Sequence, residues 1–327
     1  MSTFPVVMDV DTGIDDAMAL MYAVRNPHMD VRAVSTVAGN VSLKQVVENT
    51  VKILDLMGAS DIPVAAGAVA PLNSPARDAS YVHGADGLGG VELPAPSREP
   101  VAEHAVELMC RTIMESEQKV TLIACAPQTN LALLLRMHPE VTENLERIVF
   151  MGGSASVGNA TPVAEFNIWH DPEAADIVVK SGVPLVMYGL DVFNHVAIPH
   201  DVVAGLKASD HPVARALGGI AGFTYGDDED EPQAYSLIGD AGAVVAAVHP
   251  EMFVSSEHRI EISLADEVTR GQTVVDQRAQ VGEDRLHGKK IDEIPVAEVV
   301  FSAKDEMEVI REFLDVVLEG EFKELYS

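Results

Sequence analysis

The apolar positions fall into short runs rich in β-branched residues: Pro5 to Val10, Val31 to Val37, Val120 to Ala124, Arg147 to Met151 and Pro184 to Tyr188. Runs of this length and composition predict strands buried on both faces. Between them, apolar residues recur at helical period in Ile14 to Arg25, Leu43 to Met57, Ala102 to Glu115, Thr129 to Met137 and Pro172 to Lys180. Each helical stretch follows a strand or its loop, the βαβ rhythm of a parallel sheet. The expected fold is α/β: an open, mostly parallel Rossmann-like sheet with helices on both faces.

Three stretches break the rhythm: the Gly- and Pro-rich Pro71 to Pro100, Gly152 to Asp171, and the acidic tract Asp227 to Glu231. In a doubly wound sheet a ligand site forms at the carboxyl ends of the strands, so the loops after Val10, Val37, Ala124 and Met151 are expected to converge. No internal repeat or low-complexity linker divides the chain. Residues 1–327 are read as one domain whose part from about residue 190 closes over the site.

The densest chemistry lies where the first strand gives way to the first helix. Asp9-Val10-Asp11-Thr12-Gly13-Ile14-Asp15-Asp16 places four carboxylates in eight residues. Asp9 and Asp11 share a strand face by the period of two, and Asp15 and Asp16 fall in the first helical turn. Helix N-terminal amides stabilise one or two negative charges, but four crowded carboxylates need a cation or protons to offset their repulsion. Oxygen donors without Cys or paired His favour calcium or magnesium, and several carboxylates together suit calcium's larger shell. The plainer reading, in which Asp15 and Asp16 only charge a helix end and Asp9 and Asp11 are solvated, conflicts with the apolar neighbours of Asp9 and Asp11.

Composition narrows the partners. The 51 Asp and Glu against 22 Lys and Arg give a formal charge of −29 in 327 residues. That charge repels phosphate backbones and anionic membranes, so nucleic-acid polymers and acidic lipids are not expected partners. The surplus fits a salt-rich habitat or simple solubility, and solubility carries the greater weight. Cys110 and Cys125 each sit in an apolar stretch, which argues against a disulfide framework and a thiolate zinc site. No basic leader precedes the first strand, and no apolar run approaches the roughly 20 residues of a membrane span, so a soluble cytoplasmic protein is expected.

The segment VMDVDTGIDDAMAL resembles the N-terminal signature of the inosine-uridine-preferring nucleoside hydrolase family. Thr36-Val37-Ala38-Gly39-Asn40 is similar to the family's second loop, and Val82-His83-Gly84 with Asp86-Gly87-Leu88-Gly89 to its third. Thr129-Asn130-Leu131-Ala132 is similar to the segment after its fourth strand. Met151-Gly152-Gly153, Asn159, Glu165-Phe166-Asn167 and Asp171-Pro172-Glu173-Ala174 are similar to its longest motif. The order and spacing of these segments make coincidence an unattractive explanation.

The resemblance implies an enzyme that hydrolyses the N-glycosidic bond of ribonucleosides, with Ca2+ as cofactor and a homodimer or homotetramer as the assembly. It implies that Asp11, Asp16, Asp240 and the backbone carbonyl of Cys125 ligate calcium, with Asp11 doubling as general base. It assigns Asp15, Asn40, Asn159, Glu165 and Asn167 to the ribose hydroxyls, His83 to base or sugar, and Met151 and Phe166 to the pocket walls. Asp9 is read as orienting the ligands from behind. Each polar residue also has a plain role as turn, cap or loop charge, which the shared motif context outweighs.

The sequence departs from the family pattern at Gly239, where members accepting purines and pyrimidines commonly carry a His that protonates the leaving base. Stacking on Trp169, Tyr225 or Tyr235, or a proton from His170 or His195, are the substitutes the sequence offers. Base preference is therefore open. Two other readings compete: a haloacid dehalogenase-like phosphatase, suggested by Asp-Val-Asp-Thr at a strand end, and a non-catalytic nucleoside or ribose binder, suggested by Gly239.

Overall fold

The computed structural model describes residues 3–223, 235–265, 267–279 and 293–326. The strands run β1 (Phe4–Val10), β2 (Met29–Thr36), β3 (Val64–Ala66), β4 (Val120–Ala124), β5 (Leu145–Met151) and β6 (Leu185–Tyr188). They continue as β7 (Ala197–Pro199), β8 (Tyr235–Leu237), β9 (Phe253–Ile262), β10 (Thr273–Asp276) and β11 (Val296–Ala303). Helices α1 (Ile14–Arg25), α2 (Leu43–Leu56), α3 (Ser80–His83), α4 (Ala105–Met114), α5 (Thr129–Met137) and α6 (Phe166–His170) come first along the chain. Helices α7 (Pro172–Val179), α8 (Leu190–Phe193), α9 (His200–Lys207), α10 (Pro212–Ala221), α11 (Asp240–Val248) and α12 (Glu306–Val317) follow.

Nine strands form one sheet in the order β10-β9-β11-β6-β5-β4-β1-β2-β3. From β11 to β3 every pairing is parallel, while β9 and β10 add an antiparallel edge. β7 and β8 pair separately and antiparallel. Period-two alternation along β1 sends Val6, Met8 and Val10 into one core and Val7 into the other, so helices cover both faces of the sheet. The first core gathers α1, α2 and the helices from α9 onward. The second gathers α4, α5 and α7. This is the expected open α/β architecture. Among the described residues no helix is long and apolar enough to cross a membrane.

Two features place the site. Strand order reverses between β1 and β4, and at such a switch point the crossover helices diverge and leave a crevice beyond the strand ends. Beside it, α1 and α11 are buried around most of their circumference, with Ala17 to Ala23 and Ala241 to Val248 buried throughout. A helix apolar on all sides is held by packing alone, and both helices start at the crevice with acidic first turns.

Candidate active site

Asp11 follows β1 and is fully buried. Its Oδ2 accepts the Asn40 backbone N–H at 2.7 Å, while its Oδ1 has no protein partner. Asp16, in the first turn of α1, accepts the N–H groups of Asp11 at 3.1 Å and Gly13 at 3.0 Å, and the Asn40 side-chain amide at 3.0 Å. Those bonds hold its carboxylate rigidly at the helix start. Asp240, the first residue of α11, is buried with Oδ1 unpartnered, as is Asp15 Oδ1. Carboxylate oxygens of Asp15, Asp16 and Asp240 lie within 4.8 Å of one another.

Burial pushes these acids up, and their mutual repulsion adds to it. Asp16 is raised to about 7 by desolvation and then by the Asp15 charge, Asp240 is raised well above the carboxylate range by the same two causes, and Asp11 likewise by desolvation and then by the Asp16 charge. Such a group of buried carboxylates requires protons or a cation. The orphaned oxygens of Asp11, Asp15 and Asp240, with no thiolate or imidazole among them, fit a hard divalent cation. Asp15, which the sequence resemblance assigned to the sugar, sits in this cluster alongside the expected Asp16 and Asp240.

Above the acids lies a cavity of about 220 Å³. Asp15, Asn40, His83, Cys125, Met151, Asn159, Glu165, Phe166, Asn167 and Asp240 are brought together in its wall. Asp11 and Asp16 lie beneath that lining. Tyr81, Val82 and Phe193 also line it and were missed. Phe193 ends the short helix after β6, a strand whose carboxyl end belongs to the same crevice, and Tyr81 and Val82 immediately precede His83.

Two of the expected sugar contacts have structural duties as well. Glu165 is buried and caps α6: Oε1 accepts from Asn167 N–H at 2.8 Å, and Oε2 from Gly153 N–H at 2.9 Å and Ile168 N–H at 3.1 Å. Burial still raises its pKa to about 7. The Asn167 amide donates to the Cys125 carbonyl at 3.1 Å and the Met151 carbonyl at 3.2 Å, thereby orienting the carbonyl expected to ligate. Asn159 accepts the Phe166 N–H at 2.9 Å.

Asp9 is closed off behind the acids, with Oδ1 accepting from Ser35 at 2.5 Å and Asn130 at 2.8 Å. Burial raises it to about 7 against those two bonds.

His83 is the imidazole in the cavity wall. Its Nδ1 accepts the Ile14 N–H at 3.2 Å, which leaves the ring proton on Nε2, and burial lowers its pKa toward the neutral form. His195 is exposed, and the buried His170 packs on Phe166 at 5.4 Å between ring centroids. Neither lines the cavity, nor does Trp169, whose ring centroid lies 3.9 Å from the Arg77 guanidinium. Tyr225 and the tract Asp227 to Glu231 lie outside the described residues, and no side-chain placement is described for Tyr235.

A switch-point crevice lined by carboxylates, amides and apolar walls offers the groups that a small polyhydroxylated ligand and a cation would need. The model of the inosine-uridine preferring nucleoside hydrolase family matches residues 6–309, and the chain belongs to that family. It is 43% identical over 280 residues to the pyrimidine-specific ribonucleoside hydrolase RihA of Shewanella sp. (strain MR-4), covering 85% of this chain and 88% of that one. The RihA of Citrobacter koseri is 41% identical over 274 residues, 83% and 88% of the two chains. Among solved structures, a plant nucleoside hydrolase (PpNRh1) superposes with a TM-score of 0.88 at 29% identity, covering 96% and 98%. The purine-preferring ribonucleoside hydrolase of Gardnerella vaginalis superposes with 0.85 at 26% identity, covering 96% and 98%. The chain is thus a ribonucleoside hydrolase of a metal-using family, with a buried acidic cluster that could hold an ion.

Proposed function

We propose that this enzyme cleaves the N-glycosidic bond of pyrimidine ribonucleosides to ribose and free base, with calcium held by Asp11, Asp16, Asp240 and the Cys125 carbonyl. The carrying observation is the set of buried carboxylate oxygens on Asp11, Asp15 and Asp240 left without partners beside a cavity at the switch point. A cation held there would supply the positive charge that keeps these acids ionised and would favour binding of a sugar diol. The pyrimidine preference rests on the names of relatives at 41% and 43% identity.

Asp11 acts as general base through its free Oδ1, because Oδ2 is engaged by Asn40. It takes the proton of a water whose oxygen attacks the anomeric carbon, while the bond to the base breaks and its electron pair leaves with the base. Asp15, Asn40, Asn159, Glu165 and Asn167 hold the ribose hydroxyls, since a polyol in a closed pocket is costly unless each group is paired. Met151 and Phe166 wall the pocket. His83, carrying its proton on Nε2, donates to the departing base in place of the side chain that Gly239 lacks. The part of the chain from about residue 190 closes the site, because Phe193 and Asp240 complete the cavity wall.

A reducing-sugar assay over purine and pyrimidine nucleosides, with and without a calcium chelator, tests the reading. Uridine or cytidine should be the best substrate, chelation should abolish turnover, and calcium should restore it. In saturating calcium, Asp11→Asn should lower kcat by on the order of 10³-fold, far more than it weakens substrate binding. Turnover that survives complete metal removal would refute the assignment.

A further inference from the structure

Outside the active centre, the described residues gather one other trio of metal-ligating groups. Cys110 lies on α4, His138 follows the last residue of α5, and Glu140 belongs to the 3-10 turn Pro139–Glu143. The Cys110 sulfur, a His138 ring nitrogen and a Glu140 carboxylate oxygen all lie within 4.8 Å of one another. His138 Nε2 is 3.2 Å from Glu107 and Nδ1 is 3.6 Å from Glu140. Glu107 and Cys110 are three residues apart on α4 and so share one helix face.

We propose that Cys110, His138 and Glu140 form a second cation site, for a divalent ion of the zinc class, distinct from the acidic centre. The donors are one sulfur, one nitrogen and one oxygen, the mixed set that a borderline ion prefers and calcium does not. Glu107 completes it from behind: by accepting the Nε2 proton it leaves Nδ1, on the Glu140 side, free to ligate. Desolvation holds the Cys110 thiol above its usual range, and the charges of Glu140 and Glu107 add to that, a field a cation would offset. Cys110 is only half-buried and no disulfide engages it, so an ion can reach it from solvent. The two donor elements are far apart in the chain and no paired-cysteine spacing marks them, which is why the sequence argued against a thiolate site.

The site would tie the middle of α4 to the turn after α5. Helix α5 has nine residues, about 14 Å at 1.5 Å per residue, and its other end abuts the switch point, so the two cation sites are separate. Binding to the folded state alone also stabilises it.

The full-length protein is stripped with a chelator, reloaded with calcium and titrated with Co2+. One equivalent should produce a thiolate-to-cobalt charge-transfer absorption that Zn2+ abolishes. Cys110→Ser and His138→Gln should each remove that band, Glu140→Gln should weaken zinc binding at least tenfold, and all three should keep the nucleoside hydrolysis of the calcium-loaded enzyme. No thiolate band in excess cobalt, or a band that persists in Cys110→Ser, overturns the proposal. Should Cys110→Ser fold poorly, His138→Gln takes its place, and a cobalt band unchanged in that variant overturns the proposal equally.

Discussion

Gly239 holds its place for a geometric reason. Its φ is 50°, a backbone conformation that residues with a β-carbon rarely adopt, and a Cβ there would lie 2.7 Å from Asp15 and 2.9 Å from the Phe193 ring. Asp15 and Asp240 belong to the acidic cluster, so a side chain at 239 would push on the acids directly. Installing the histidine common at this position in the family therefore should not improve catalysis. Gly239→His is expected to cost about 1–3 kcal/mol of stability from backbone strain and crowding, and to lower kcat/KM by at least about tenfold through the displaced acids. Thermal unfolding and kinetics on uridine check both numbers, and a rise in kcat would show that the backbone here relaxes freely. This departure was visible as a letter in the sequence, but its cause, a left-handed residue wedged between Asp15 and Phe193, belongs to contacts that spacing cannot reveal.

At the level of elements, Glu165 shows how one residue serves fold and site together. Its carboxylate gathers N–H groups from Gly153, Asn167 and Ile168, pinning the loop after β5 to the start of α6. Asn167, in that first turn, then orients the Cys125 carbonyl. Glu165→Ala leaves three buried donors without an acceptor, and is expected to cost about 2–4 kcal/mol and to weaken calcium binding through the released Asn167. Glu165→Gln retains an acceptor oxygen and should recover much of the stability. Denaturant unfolding with a calcium titration on both variants measures this, and an unaltered calcium affinity in Glu165→Ala would separate the cap from the cation site. Legibility of the elements followed their burial pattern. Strand β4 and helices α1 and α5 matched their expected ends because continuous apolar runs and uninterrupted helical period mark them. By contrast β9 mixes exposed Glu257 with buried Ile260 and Ile262 at a sheet margin, and three-residue β3 offers too few positions for any period, so neither stood out.

For the molecule as a whole, the decisive property is charge. The fold closes the chain so that the acids of α1 and the acid of α11 meet, a juxtaposition the family motifs implied but the pattern of apolar residues alone could not, because sheet order is set by long-range pairing. A separate consequence follows for the surface, because 51 acids outnumber 22 Lys and Arg and, among the described residues, only a handful of acids are buried. Self-repulsion at that density opposes the compact state and weakens as ions shorten the screening length from about 30 Å at 0.01 M to about 3 Å at 1 M. The melting temperature, measured in saturating calcium so that site occupancy is constant, should rise steadily as sodium chloride increases over that range. Chloride is chosen because sulfate would also strengthen apolar burial and blur the cause. A flat profile would mean that the acids are spaced or locally paired well enough to repel little, and that the acidic surplus serves solubility alone.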